Sequence, residues 1–126
     1  MELTCTNVRY LLTIYHLSQI RLEVSSKDIA RVLEVSRASV TSMMGVLTEK
    51  ELVAKERYGK VHLTRSGIRL AKALSAQADE LARDLAPRMG LSVEEAWKAA
   101  CAAVSELPHR CFPAVPAGKQ RWGSSD

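Results

Sequence analysis

Between residues 36 and 42 the chain carries Ser36, Arg37, Ala38, Ser39, Thr41 and Ser42, short side chains interrupted by one guanidinium. Hydroxyls such as Ser36, Ser39 and Thr41 suit phosphate oxygens, which fix register without reading sequence. The forked donors of Arg37 match the O6 and N7 acceptors of a guanine in the major groove, and Ala38 is small enough to lie against a thymine methyl. A second set, Arg57, Tyr58 and Lys60, surrounds Gly59 and could reach a flanking phosphate or the minor groove. The plainer readings are an exposed polar helix face for the first set and a solvated turn for the second.

Thiol and imidazole groups are sparser. Cys5, Cys101 and Cys111 are odd in number and far apart, which suits a reducing, cytoplasmic setting and argues against a secreted disulfide scaffold. Cys101 lies among alanines, where an inert buried thiol is the default and metal binding or redox sensing the sharper alternative. His109 and Cys111 form a cluster of two, too sparse for a site. His16 and Cys5 lack helical partners of the right type, and His62 reads as a surface residue of a hairpin. The chain has no glycine-rich phosphate loop, no paired-histidine helix motif and no nucleophile elbow, so it does not read as an enzyme.

The elements that must position these residues follow from spacing. A chain of 126 residues suits one ordinary domain or two small ones sharing a core, and 47% hydrophobic with 25% charged residues is the composition of a soluble globular protein. Aromatics at 5% favour helices packed through aliphatic and small side chains. No stretch approaches the roughly 18 apolar residues of a membrane span, and no signal-peptide pattern opens the chain.

Val8, Leu11, Leu12 and Tyr15, with Tyr10, Ile14 and Leu17 as a second stripe, predict a helix over about 4–20 that is buried on more than one side. Ser25 with Asp28 resembles a capping box and opens a short helix, about 26–33, whose inward face would be Ile29, Val32 and Leu33. Only Glu34-Val35-Ser36 separates it from the next helical pattern, Val40, Met43, Met44 and Leu47, for which Ser36 is a natural N-cap. That is helix-turn-helix spacing, with Glu34 where a glycine is usual.

The period then changes. Leu52–Arg57 and Lys60–Thr64 read as two strands around Tyr58-Gly59, with Gly59 supplying the positive φ of a tight hairpin. A helix-turn-helix followed at once by a small basic hairpin predicts a winged helix. From Thr64 or Arg65 the seam Ala71, Leu74, Ala78, Leu81 and Leu85 predicts a long helix to about Leu85, ended by Pro87 and Gly90. Ser92 and Glu95 open a last helix with the seam Val93, Trp97, Ala100, Val104 and Leu107, stopped by Pro108. Its alanines permit close approach of a neighbouring backbone.

The expected architecture is therefore mainly α with a small β-hairpin: a winged helix-turn-helix over 1–66, a helical dimerisation region over 67–108 and a poorly ordered tail over 109–126. The net charge of +4 is uneven. Residues 1–70 hold eleven Lys/Arg against seven Asp/Glu, whereas residues 71–126 hold seven of each. A basic first half points to an anionic partner.

These residues carry a resemblance. Tyr10-Leu-Leu-Thr-Ile-Tyr15, Ser26-Lys-Asp-Ile-Ala30, Val35-Ser-Arg-Ala-Ser-Val40, Leu52-Val53, Tyr58-Gly-Lys-Val61 and Leu63-Thr-Arg-Ser-Gly67 resemble the DtxR/MntR metalloregulators. The resemblance runs from about residue 6 to 107 and is strongest over the winged helix. It implies a repressor that binds operator DNA as a homodimer when loaded with iron or manganese, in the short form without an SH3-like domain. The positions it makes metal ligands fall on Arg9, Leu12, Ala78, Cys101, Val104 and Ser105, of which only Cys101 keeps a plausible donor. Divalent iron or manganese needs several oxygen and nitrogen donors converging on one point, and Arg9 would repel a dication. The resemblance implies the metal, and the residues argue against it. Two expectations stand open: a dimeric DNA-binding regulator with no membrane partner, and a winged helix serving as a protein-interaction module.

Overall fold

The computed structural model describes residues 3–107. The tail expected over 109–126, with His109 and Cys111, lies outside the described residues. Five helices and three short strands follow in the order α1 (Cys5–Ile20), β1 (Val24–Ser25), α2 (Ser26–Leu33), α3 (Arg37–Glu49), β2 (Val53–Lys55), β3 (Lys60–Leu63), α4 (Arg65–Met89) and α5 (Val93–Glu106).

The start signals act as the sequence suggests. Ser25 Oγ accepts from the Asp28 N–H while the Asp28 carboxylate accepts from the Ser25 N–H, a reciprocal capping box that satisfies two orphan donors at once. Ser92 and Glu95 do the same for α5. A further reciprocal pair precedes α1, where Asn7 Oδ1 accepts from the Thr4 N–H at 3.0 Å and the Asn7 N–H donates to Thr4 Oγ1.

The stop signals of α2, α3 and α4 share one geometry. The N–H groups of Val35, Leu52 and Leu91 donate back five residues, to the carbonyls of Ala30, Leu47 and Ala86. The residue before each donor is left-handed: Glu34 at φ 57°, Glu51 at φ 61° and Gly90 at φ 66°. This is the Schellman closure, which favours glycine because a Cβ crowds the following carbonyl. Here glutamate fills the position in two of the three.

The sheet exceeds the hairpin read from the sequence. β3 is central and antiparallel to both neighbours, in the order β1-β3-β2, with Val24 opposite Val61, Ser25 opposite Lys60 and Ala54 opposite His62. Tyr58 at φ 64° and Gly59 at φ 73° turn β2 into β3, two consecutive positive angles of the kind a primed hairpin turn requires.

By chain contacts the protein divides into two compact units. One is Tyr10–Arg69; the other joins Met1–Arg9 to Leu70–Asp126, of which 3–9 and 70–107 are described. In the first, Leu11, Ile14, Ile29, Val40, Met44, Leu47, Leu52 and Val53 are fully buried, and α3 packs against α2 and β2. This is a winged helix-turn-helix. In the second, Val8, Ala71, Leu74, Ala78, Ala100 and Val104 are fully buried.

Four expectations need correction. Val32 is 52% exposed and Leu33 half-buried, because α2 turns mainly Ile29 and Ala30 inward. Pro87 does not end α4, which runs on to Met89; near the C-terminus proline forgoes one intrahelical hydrogen bond, and Gly90 closes the helix instead. Val93, the first residue of α5, is 85% exposed and off the seam, whose buried positions are Ala96, Ala100 and Val104. The strands are shorter than expected because Leu52 still belongs to the α3 closure and Arg57 to the turn.

Candidate nucleic-acid interface

α3 buries Val40, Met44 and Leu47 and leaves Arg37, Ala38, Ser39, Thr41 and Ser42 exposed. The first of the two residue sets thus shares one helix and projects outward from its first two turns. Ser36 caps α3 by accepting from the Ser39 N–H at 3.0 Å, and its own hydroxyl donates to Ser39 Oγ at 3.0 Å. The Ser39 proton is thereby left to point elsewhere. Thr41 Oγ1 donates to the Arg37 carbonyl at 3.0 Å, a back-bond to the preceding turn that occupies its only proton. Arg37 makes no ion pair within 4.0 Å with any other described residue.

Gly45 lies on the same exposed stretch, and a Cβ built there would meet nothing within 4 Å. A mid-helix glycine costs roughly 1 kcal/mol relative to alanine, and nothing inside the fold requires this one. Sequence reading passed over it because an isolated glycine in a helical pattern carries no periodic signal.

The second set sits at the wing. Arg57 and Tyr58 form the turn, with Tyr58 88% exposed. Lys60 opens β3, and its Nζ lies 2.9 Å from Glu23 Oε2. His62 Nδ1 lies 2.7 Å from Glu56 Oε2, both side chains exposed as a surface histidine should be. The wing is tied to the helix-turn-helix through β1 and through Ser26 Oγ, which donates to the Gly59 carbonyl at 3.3 Å.

Residues 2–61 match the family described as iron dependent repressor, N-terminal DNA binding domain. The matched stretch, just under half of this chain, is similar to that family's DNA-binding domain. The match covers the segments that carry the resemblance read from the sequence, except Leu63–Gly67. Among solved structures, the chain is similar to IdeR of T. acidophilum, with 25% identity, 98% of this chain and 55% of that one covered, and a TM-score of 0.68. It is also similar to the manganese regulator SloR (24%, 99% and 54%, TM-score 0.66). A third is a manganese-dependent transcriptional repressor in complex with manganese (24%, 94% and 51%, TM-score 0.69). The chain spans about half the length of these proteins. The family and these neighbours are regulators and not enzymes. No curated protein matches the chain in sequence.

The positions that the resemblance makes metal ligands do not fit an ion. Leu12, Ala78 and Val104 are buried hydrocarbon, and Arg9 is an exposed cation. Ser105, though buried, donates its hydroxyl to the Cys101 carbonyl at 2.8 Å. Burial, with the nearby Asp79 carboxylate adding to it, pushes the Cys101 thiol up to about 12. Since the thiolate is the nucleophile, this cysteine is not activated for redox sensing. Among the described residues no group of three His, Cys, Asp or Glu is placed to hold a metal ion. No helix among them is long and apolar enough to cross a membrane.

Proposed function

We propose that this chain is a DNA-binding transcriptional regulator, a repressor of the DtxR/MntR type, that binds operator duplex as a homodimer in the cytoplasm without needing iron or manganese at the ligand positions of its relatives. The observation that carries the reading is the exposed leading edge of α3, with Arg37 unpaired among the described residues, inside a domain of a DNA-binding family. In this reading residues 1–66 read DNA and residues 67–108 dimerise.

The roles follow from the hydrogen bonding. Arg37, in the first turn of α3, is placed to take a guanine edge, since the N-terminal residues of a recognition helix reach the bases. Ser39 offers its outward proton to a phosphate, and Ser42 can do the same one turn on. Thr41 can donate to a phosphate only by releasing the Arg37 carbonyl. Ala38 supplies the apolar contact. Arg57, Tyr58 and Lys60 extend the footprint from the wing.

Dimerisation is supported by the half-buried Leu81, Leu85 and Trp97 and by Met89 at 66% exposed, apolar surface that a second copy would cover. Ala100 is not available for this purpose, because it is fully buried within one chain. In the relatives of this type, metal raises affinity only as far as it prefers the binding-competent shape. Buried hydrocarbon at Leu12, Ala78 and Val104 takes the place of donors here, so competence does not wait for an ion.

The test measures affinity for the chain's own upstream DNA in chelator and in added manganese, iron or zinc, with light scattering on the same samples. Equal affinity in all conditions and a dimer mass are expected. A gain of tenfold or more with metal, about 1.4 kcal/mol of coupling, overturns the metal-independent part. A monomer at micromolar concentration overturns the dimer. Failure to bind heparin or any duplex favours the protein-interaction module instead.

A further inference from the structure

We propose that Glu23 restrains the wing by neutralising Lys60, so that the grip of Lys60 on a phosphate is set by this one ion pair. The inference rests on the DNA-binding reading above and adds to it a residue that opposes binding.

The register explains how the pair arises. Val24 faces Val61 and Ser25 faces Lys60, so Glu23, one step before β1, stands diagonally across from Lys60 on the side of the sheet opposite the buried Val24 and Val61. Diagonal neighbours on a pleated sheet are within reach of long side chains. Lys60 Nζ and Glu23 Oε2 are 2.9 Å apart, with side-chain exposures of 41% and 63%. On the other flank of β3, Glu56 answers His62 in the same way. Both basic groups of the outward face of β3 therefore meet a carboxylate. Among the described residues, Lys55 and Arg57 are the wing cations with no carboxylate within 4.0 Å.

A phosphate must share Lys60 with Glu23 or displace it. Either way the carboxylate remains beside a second anion. An exposed pair of this kind is weak in itself, so it tempers binding and does not block it. Each phosphate neutralised by a lysine changes the slope of log affinity against log salt by about 0.9. Freeing Lys60 therefore has a distinct signature.

The experiment compares the intact chain with Glu23→Gln, Lys60→Ala and the double variant on one duplex over a salt series, with thermal melts as the check on folding. Glu23→Gln is expected to bind several-fold more tightly at low salt, with a slope steeper by about 0.9. Lys60→Ala alone should lose the tempered contact, a smaller change than the Glu23→Gln gain, and Glu23→Gln added to Lys60→Ala should bring no gain. Binding by Glu23→Gln equal to or weaker than the parent overturns the proposal. So does an equal gain when Glu23→Gln is added to Lys60→Ala, because that reflects the loss of one negative charge and not the release of Lys60. If the parent chain binds no duplex, the regulator reading fails and this proposal fails with it.

Discussion

Gly67 stands where any side chain would collide with the Leu52 carbonyl. A Cβ at Gly67 would overlap that oxygen and press on Leu63 Cδ2 at 3.3 Å. The same carbonyl accepts from the Thr64 N–H at 3.0 Å, while Thr64 Oγ1 donates to the Glu51 carbonyl and accepts from the Gly67 N–H. One threonine and one glycine thus seat the start of α4 on the junction between α3 and β2. Gly67→Ala should destabilise the protein by roughly 1–3 kcal/mol, as overpacking against backbone does. Gly45→Ala, where the added methyl meets nothing, should stabilise it by up to about 1 kcal/mol. Urea unfolding of the two variants checks both signs, and a neutral Gly67→Ala would show that the junction can shift.

The glutamates that close α2 and α3 make a second prediction. Glu34 and Glu51 hold left-handed backbones that cost an L-residue roughly 1–2 kcal/mol. Glu34→Gly and Glu51→Gly relieve that strain and give back part of it as entropy of the unfolded chain. Each should stabilise by up to about 1 kcal/mol, and the two should add, lying in separate closures. Chemical denaturation reads the result; destabilisation would mean the carboxylates make interactions that outweigh the strain.

Arg37→Ala should cost roughly 1–3 kcal/mol of specific binding and relax preference at one base pair. Affinities for the upstream DNA, for single-base variants of it and for random duplex separate base reading from charge. Equal loss on all of them would reassign Arg37 to a phosphate.

Asp28 predicts an acid response. Burial alone would raise its carboxyl. The two hydrogen bonds from Ser25 and the charges of Arg21 and Arg31 outweigh that, and the group titrates below its ordinary value. The folded state thus holds this proton less tightly than the unfolded chain. The contribution is present in full above the ordinary carboxylate range, near 3.9, and is lost as pH falls through the lowered native value. Asp28→Asn, which cannot be charged, should be less stable than the parent at pH 7 and should close the gap as pH falls through the lowered native value. Melting curves from pH 7 to 2 decide it; a gap independent of pH would assign the effect to shape alone.

Cys101 should be slow to react. Its thiol at about 12 leaves about one thiolate in 10⁵ at pH 7, and the side chain is only partly accessible. Cys5 is exposed. Alkylation with iodoacetamide, followed residue by residue in the mass spectrum, should mark Cys5 well before Cys101. Comparable rates would reopen a redox role.

The parts of the fold legible in the sequence are those written locally. Ser25 with Asp28, Ser36, Ser92 with Glu95, and Gly59 each act within four residues of themselves, and their chemistry admits few alternatives. β1 was not legible, since two residues carry no period and Val24–Ser25 is a strand only because β3 lies beside it. Val32 and Val93 misled because a stripe at helical spacing marks a face without saying how wide the buried part is. For the candidate site, the exposed edge of α3 followed from its spacing. The pairing of Lys60 with Glu23 joins residues 37 apart and depends on strand register, which no local pattern encodes.

Ser25 and Ser26 belong to two elements at once. Ser25 caps α2 and pairs with Lys60 in the sheet, while Ser26 begins α2 and donates to the carbonyl of the wing turn. Fraying of the hairpin would therefore strip the start of α2 of its strand pairing and of the Ser26 hydrogen bond. Wings that sway freely must be immobilised when they meet a partner, and that ordering subtracts from affinity. In this chain the β1–β3 pairing and the Ser26–Gly59 hydrogen bond restrain the wing in advance. The wing arrives preorganised, and substitutions at Ser26 should loosen its hold on a partner by restoring motion while leaving every contacting side chain in place.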